Sequence, residues 1–193
     1  MSDKLYLVRH GETAWSKTGQ HTGRTDLELT EQGKLDAARL GDRLKSLKVD
    51  RVFVSPLKRA RATCELSGFG AQAAVMDELL EWDYGAYEGK TSVQIRVDRP
   101  GWDLFRDGCP DGESVATISR RADRALETFR GIDGTILVFS SGHILRVLAA
   151  RWLACEASFG RYLGLDPASL SLLGFEHGHQ DPIIRIWNDA RRA

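Results

Sequence analysis

The sequence predicts a three-layer α/β/α sandwich with a mostly parallel central sheet. Three observations carry that expectation. Short apolar runs at Leu5–Val8, Val52–Val54 and Ile136–Phe139 are too brief for helices and read as buried strands. Longer amphipathic stretches separate them, and strands alternating with helices mark βαβ units. The chain has 193 residues, which suits one domain, residues 1–193, with a substantial core.

The elements follow in order. The first strand stops at Arg9-His10-Gly11, where glycine permits a tight turn. Thr13–Asp26 is a polar loop rich in hydroxyls. Thr30 suits an N-cap, and Leu35, Ala38, Leu40, Leu44 and Leu47 form an apolar stripe, so a helix spans Glu31–Lys48. Arg51–Val54 is the second strand, ended by Ser55-Pro56, and Leu57–Ser67 is helical until Gly68. Ala73–Met76 is a third strand. Asp77–Gly89 interleaves aromatics with acids and reads as an ordered loop over the sheet edge. A short helix over Thr91–Asp98 and a loop over Pro100–Gly112 lead to a long helix ending near Arg130. Thr135–Phe139 is the most apolar strand, followed by Ser140-Ser141-Gly142-His143 and a buried helix over Ile144–Leu153. Leu170–Phe175 and Ile183–Trp187 make a terminal hairpin around His177-Gly178-His179.

Composition excludes several functions. Lys plus Arg and Asp plus Glu are 27 each, so no global field gathers nucleic acid or an anionic membrane, and any anion site is local. Cys64, Cys109 and Cys155 are too scattered for a disulfide framework or a zinc site. No metal and no cofactor is expected. The chain opens directly into a strand without a signal peptide or membrane-length apolar run, so a cytoplasmic location is the default. The apolar terminal strand offers an edge for a homodimer.

Arg9-His10, Arg59, Glu81 and His143 each follow the carboxyl end of a different predicted strand. Ligands of open α/β sheets bind along that edge. Two arginines and two histidines there would neutralise a phosphate dianion, with a guanidinium fork gripping two oxygens. One histidine, its pKa lowered by the cations, would attack phosphorus. Glu81, beside Trp82 and Tyr84, would protonate the leaving alkoxide. The residues alone do not choose between His10 and His143 as nucleophile.

Leu7-Val8-Arg9-His10-Gly11-Glu12-Thr13, Ser55-Pro56-Leu57-Lys58-Arg59-Ala60, Glu81 with Gly85 and Glu88-Gly89, and Ser141-Gly142-His143 resemble the histidine phosphatase superfamily, which includes the cofactor-dependent phosphoglycerate mutases. The resemblance runs from Leu5 to about Leu148, with the motifs in family order. It implies a phosphoglycerate mutase-like fold, His10 as the phosphorylated nucleophile, Glu81 as proton donor, and a phosphate pocket of Arg9, Arg59 and His143. Trp15-Ser16, His21-Thr22-Gly23, Glu81-Trp82-Asp83-Tyr84-Gly85 and the stretch from Trp102 through Arg106 to Cys109 are similar to the sedoheptulose-bisphosphatase-like proteins and bacterial acid phosphatases. That likeness puts Ser16, Thr22, Gly23, Tyr84 and Arg106 against the substrate, with Arg106 on a distal phosphate.

The pattern departs from the mutases at Ser16, where they usually carry asparagine, and at the glycine before His143. The connection from Glu81 to Glu113 is also short for a mutase. The expectation is therefore a metal-independent phosphatase acting on small phosphorylated metabolites. A phosphoglycerate mutase and a phospholigand-binding module without turnover are the alternatives. Outside the site, His21 reads equally as a ligand contact or a solvated loop residue. His177 and His179 read as surface residues, Arg120–Arg124 as a solvated helix face, and Arg191-Arg192 as a frayed tail.

Overall fold

The structure is a computed structural model that describes residues 2–177 and 180–191. Its strands are β1 (Ser2–Arg9), β2 (Arg51–Val54), β3 (Ala73–Val75), β4 (Gly134–Ser140), β5 (Leu170–Glu176) and β6 (Asp181–Asp189). They form one sheet in the order β3-β2-β4-β1-β5-β6. The first four run parallel and the last two antiparallel. β6 is an edge, as the terminal-hairpin reading expects.

Alternation along the strands builds two cores. Leu5, Leu7, Ile136 and Val138 face one side, against Ile118, Leu126 and Phe129 of α6 (Val115–Arg130) and Ile144 and Leu148 of α7 (Gly142–Trp152). Tyr6, Val8, Leu137 and Phe139 face the other, against Leu40 and Leu44 of α2 (Glu31–Leu44) and Ala60 and Cys64 of α3 (Lys58–Leu66). Burial on both faces explains why these strands read as continuous apolar runs. The three-layer expectation holds.

Local differences have local causes. The predicted polar loop contains a short helix, α1 (Ala14–Thr18), closed by a capping box between Thr13 and Ser16. Helix α4 (Ser92–Asp98), capped by Thr91, is the short helix expected over Thr91–Asp98, whereas the loop expected over Pro100–Gly112 contains a one-turn helix, α5 (Leu104–Asp107). Helix α2 ends at Leu44, not Lys48, and buries Gly33, Ala37, Leu40 and Leu44, while Leu35 is 55% exposed. Gly33 sets that rotation, because its α-carbon meets the backbone of Glu12 directly. The Arg120–Arg124 run is not wholly solvated. Arg121 and Ala122 are buried, and Asp123 pairs with Arg151 at 2.8 Å. His177 sits in the hairpin turn and bonds Asp181, Arg191 is tied to Asp189, and His179 and Arg192 lie outside the described residues.

A Cβ added at Gly33 would stand 2.3 Å from the Glu12 carbonyl oxygen, and one at Gly11 would stand 2.5 Å from that of Gly33. Gly33→Ala should therefore destabilise the fold by about 1–3 kcal/mol, the usual cost of overpacking. Gly164→Ala, which meets nothing within 4 Å, should change stability by less than about 0.5 kcal/mol. Urea titrations of the two variants check this, and equal midpoints would remove the close approach as a constraint.

Candidate active site

Parallel pairing of β1 with β4 sets Arg9 opposite Ser140, so His10 and His143 leave the sheet side by side. The His10 N–H completes the edge by donating to Ser140 O at 2.8 Å. A cleft of about 260 Å³ opens there, and Arg9, His10, Glu81, Tyr84, His143 and Arg146 line its floor and walls. Ser16 separates it from a larger cavity of about 430 Å³ that holds neither histidine.

The two histidines carry opposite hydrogen-bond states. His10 Nδ1 lies 2.8 Å from Gly11 O and must donate, since a carbonyl only accepts. Its Nε2 therefore carries the lone pair. His143 Nδ1 lies 2.5 Å from the Tyr84 hydroxyl. Burial holds that phenol well above its usual range, so it stays protonated, and because Nδ1 is the one partner its buried hydrogen has among the described residues, it donates to Nδ1. The hydrogen of neutral His143 is then on Nε2. Burial, followed by the charges of Arg59 and Arg9, pushes the pKa of His10 well below 6.5, and burial and Arg146 do the same for His143. Both rings are neutral near pH 7. One presents a nucleophile and the other a donor.

The arginines are held by main-chain carbonyls. Arg9 Nη1 donates to Leu165 O, and Arg9 Nε is buried without a partner. Gly142 packs on this guanidinium, where a Cβ would stand 3.2 Å from Nε. Arg59 donates to Thr25 O at 3.0 Å and to Thr22 O and Gly23 O at 2.9 Å each, leaving its Nε buried and unpaired. The expected phosphate fork is thus not available on Arg59, because loop 22–25 occupies its terminal nitrogens. Arg146 was missed from sequence. Its Nε and Nη2 donate to Gly160 O and Arg161 O, and its guanidinium lies 4.6 Å over the Phe105 ring. Only its position three residues after His143, one helical turn on, hinted at the cleft.

Glu81 comes from the loop after β3 and is 3% exposed. Its Oε1 accepts from Trp82 N and Ile144 N, and Oε2 from His143 N, at 2.8 to 2.9 Å. It thereby caps α7, a task that Ser141 at the N-cap position leaves undone. Ser16 and Thr22 line the cleft. Gly23 does not. It is buried behind the wall, its N–H donates to Glu88, and a Cβ would lie 2.6 Å from Trp82 O. Arg106 stands outside the cleft lining, with its guanidinium on Asp107 and Gly101 O, because α5 is one turn long and its C-terminal end faces solvent. His21 is a cleft residue and not solvated, its ring 4.7 Å from Tyr84 and its Nε2 on Ser92.

Two buried histidines kept neutral, one with its lone pair and one with its hydrogen on Nε2, and carbonyl-held arginines at the carboxyl edge of a parallel sheet suit an enzyme that handles phosphate esters. Comparison with known proteins agrees. The histidine phosphatase superfamily (branch 1) matches residues 5–190, and the chain belongs to that superfamily. An acid phosphatase of Mycobacterium tuberculosis is 42% identical over 181 residues, covering 91% of this chain and 88% of that protein. The sedoheptulose 1,7-bisphosphatase of Saccharomyces cerevisiae is 34% identical over 185 residues, covering 79% and 68%. A solved Mycobacterium tuberculosis structure superposes with a TM-score of 0.89 at 40% identity over 97% of both chains. A phosphoserine phosphatase of Entamoeba histolytica, solved with 3-phosphoglyceric acid, gives 0.84 at 27% identity over 98% of both. The chain is a phosphomonoesterase of this superfamily. No helix among the described residues is long and apolar enough to cross a membrane.

The buried histidines make stability depend on pH. Burial and then the charge of Arg96 bring the pKa of His21 down to about 4. Between that value and about 6.5 the unfolded chain binds a proton that the folded chain excludes, so stability falls as pH drops through this window, by about 3 kcal/mol for His21 alone. His10 and His143 act in the same direction. The urea midpoint should fall between pH 7 and pH 4.5, and less steeply in His21→Gln. Parallel slopes for variant and wild type would show that His21 does not titrate with folding.

Proposed function

We propose that the protein hydrolyses phosphomonoesters of small metabolites, sugar phosphates among them, through a phosphohistidine on His10. The observation that carries this reading is the opposite state of the two Nδ1 atoms. His10 Nε2 is free to attack phosphorus, while His143 Nε2–H and the Arg9 guanidinium in the cleft lining are suited to phosphoryl oxygens, with Arg59 adding its charge from behind loop 22–25. As the N–P bond forms, the ester P–O bond breaks and Glu81 gives its proton to the leaving alkoxide. Water then attacks the phosphohistidine, Glu81 takes a proton from it, and phosphate leaves as His10 is restored. The arginines supply the positive charge, so the step needs no metal.

The substrate body lies toward Ser16, Thr22, Tyr84 and Arg146, whose Nη1 makes no hydrogen bond among the described residues and suits a second anionic group. The work of a distal phosphate, expected of Arg106, passes to Arg146 in this reading. A cytoplasmic location and a dimer through the β6 edge belong to the same reading.

His10→Ala should abolish turnover and leave the melting temperature near that of wild type. Quenching wild type during turnover should trap an acid-labile phosphoryl group on His10, and finding it on His143 would overturn the assignment. Glu81→Gln should slow alkyl phosphates by about 10²–10⁴-fold, the range of general acid catalysis. It should cost far less with p-nitrophenyl phosphate, whose leaving group hardly needs a proton. Equal losses on both would remove Glu81 as the donor.

A further inference from the structure

Arg121 is a buried arginine outside the cleft, and every N–H it owns is spent. Its Nε and Nη2 donate to Glu113 Oε1 and Oε2 at 2.9 and 2.6 Å. Nη1 donates to Glu78 O and Leu80 O, and the second Nη2 hydrogen goes to Glu81 O at 3.2 Å. A single side chain on α6 thus collects three carbonyls of the loop that carries Glu81. Glu113 grips the same loop from its far end. Its Oε2 accepts from Asp83 N, its own N–H donates to Asp83 O at 2.8 Å, and its carbonyl takes the Trp82 indole N–H.

The contact is close throughout. A Cβ at Gly112 would lie 2.3 Å from Asp83 O, and one at Gly85 would lie 2.2 Å from Pro110 O. Burial pushes the Glu113 carboxyl up, but the hydrogen bonds and charge of Arg121 outweigh it and leave Glu113 below its ordinary range. A buried ion pair of this kind adds little net stability over a packed apolar one, and its best-attested use is to fix a geometry. The geometry fixed here is the backbone of residues 78–83.

We propose that Arg121 and Glu113 are positioning residues that hold the 78–83 loop so that the Glu81 carboxyl stays at the N-terminus of α7, facing the cleft. The proposal rests on Glu81 as proton donor. A short 3-10 turn, Asp77–Leu79, is the only regular structure among residues 77–83, and this loop lies outside the sheet ladder, so its carbonyls need donors from elsewhere. Arg121 supplies three, in a planar fork that lysine cannot reproduce. The loop then keeps its height over the cleft while a leaving group departs.

The test is leaving-group dependence, which a merely structural role would not produce. Arg121→Lys and Glu113→Gln are compared with wild type on glycerol 3-phosphate and on p-nitrophenyl phosphate. kcat/KM is the readout, because it reports phosphoryl transfer to His10 whatever limits the later hydrolysis. Each variant should lose about tenfold or more on the alkyl ester, a part of the range for general acid catalysis, and less than about twofold on the aryl ester. Neither substitution should cost anything further on the alkyl ester in a Glu81→Gln background. Equal losses on both esters, or losses that add to that of Glu81→Gln, would overturn the positioning role. If Glu81→Gln alone fails to discriminate the esters, the proton-donor reading falls instead. If it discriminates and the other two do not, only the positioning role falls. Both variants are assayed where circular dichroism shows them folded, and Glu113→Gln, which keeps the side-chain shape, decides the matter where Arg121→Lys melts.

Discussion

Positive charge held out of water without carboxylates is the constraint that the site depends on. Arg9, Arg59 and Arg146 are each anchored by backbone carbonyls, from Leu165, from residues 22–25 and from residues 160–161. A carbonyl fixes a guanidinium in place but neutralises none of its charge. Glu81 is the carboxylate on the cleft floor, and it is occupied by three backbone N–H groups. The cleft therefore has a cationic excess suited to a phosphate dianion. Burial first, and then that excess, keeps His10 neutral, the state in which an imidazole can attack phosphorus. Arg121 shows the contrast. It is buried, as Arg59 is, but sits on Glu113 outside the cleft.

Topology places these groups together. β4 enters between β2 and β1, so the ends of the three parallel strands deliver Arg59, His143 and Arg9-His10 within one row. β3 adds the loop of Glu81 from the outer side. The close backbone approaches serve this row. Gly11 against Gly33 draws α2 under the loop after β1, and Gly142 lets α7 start directly on Arg9. Tyr84, buried between His21 and His143, links the Glu81 loop to His143 through the hydrogen bond that sets which ring nitrogen of His143 carries its hydrogen.

Much of this was legible in the sequence, for identifiable reasons. Strands buried on both faces are apolar without interruption, and residues that end them fall on one edge by the geometry of parallel sheets, so Arg9, His10, Arg59, Glu81 and His143 could be grouped before any coordinate was known. What a side chain does with its hydrogen bonds was not legible. Arg59 and Arg106 read alike as phosphate ligands, yet the fork of Arg59 closes on loop 22–25 and Arg106 folds back on Asp107. Both outcomes depend on contacts between segments far apart in sequence or on a one-turn helix. The same blindness makes Arg121 read as solvated, because three of its five bonds go to carbonyls some forty residues away, and carbonyls leave no mark in a sequence. The rotation of α2 was misread because Gly33 has no side chain to enter the periodicity that sets the stripe.

The length of the connection from Glu81 to Glu113 bears on hydrolysis against transfer. A mutase must keep its phosphohistidine from water between two half-reactions, and enclosing the substrate takes chain. In this protein the connection is already committed. Its first residues carry Glu81 and cap α7, and 88–92 brace loop 20–25 through Glu88, Gly89 and Ser92. Trp102 fills the core beside His21, and 110–113 returns to pin residues 82–86. Much of the segment thus holds the Glu81 loop or braces the cleft wall. A wall that is rigid and polar, lined by Ser16, Gln20, Thr22 and Ser92, lets water follow the departing alcohol. In the proposed mechanism, the side chain that protonated that alcohol then stands where the water must lose its proton. The short connection therefore serves both halves of that proposed hydrolysis, because its return through residues 110–113 holds the loop of Glu81.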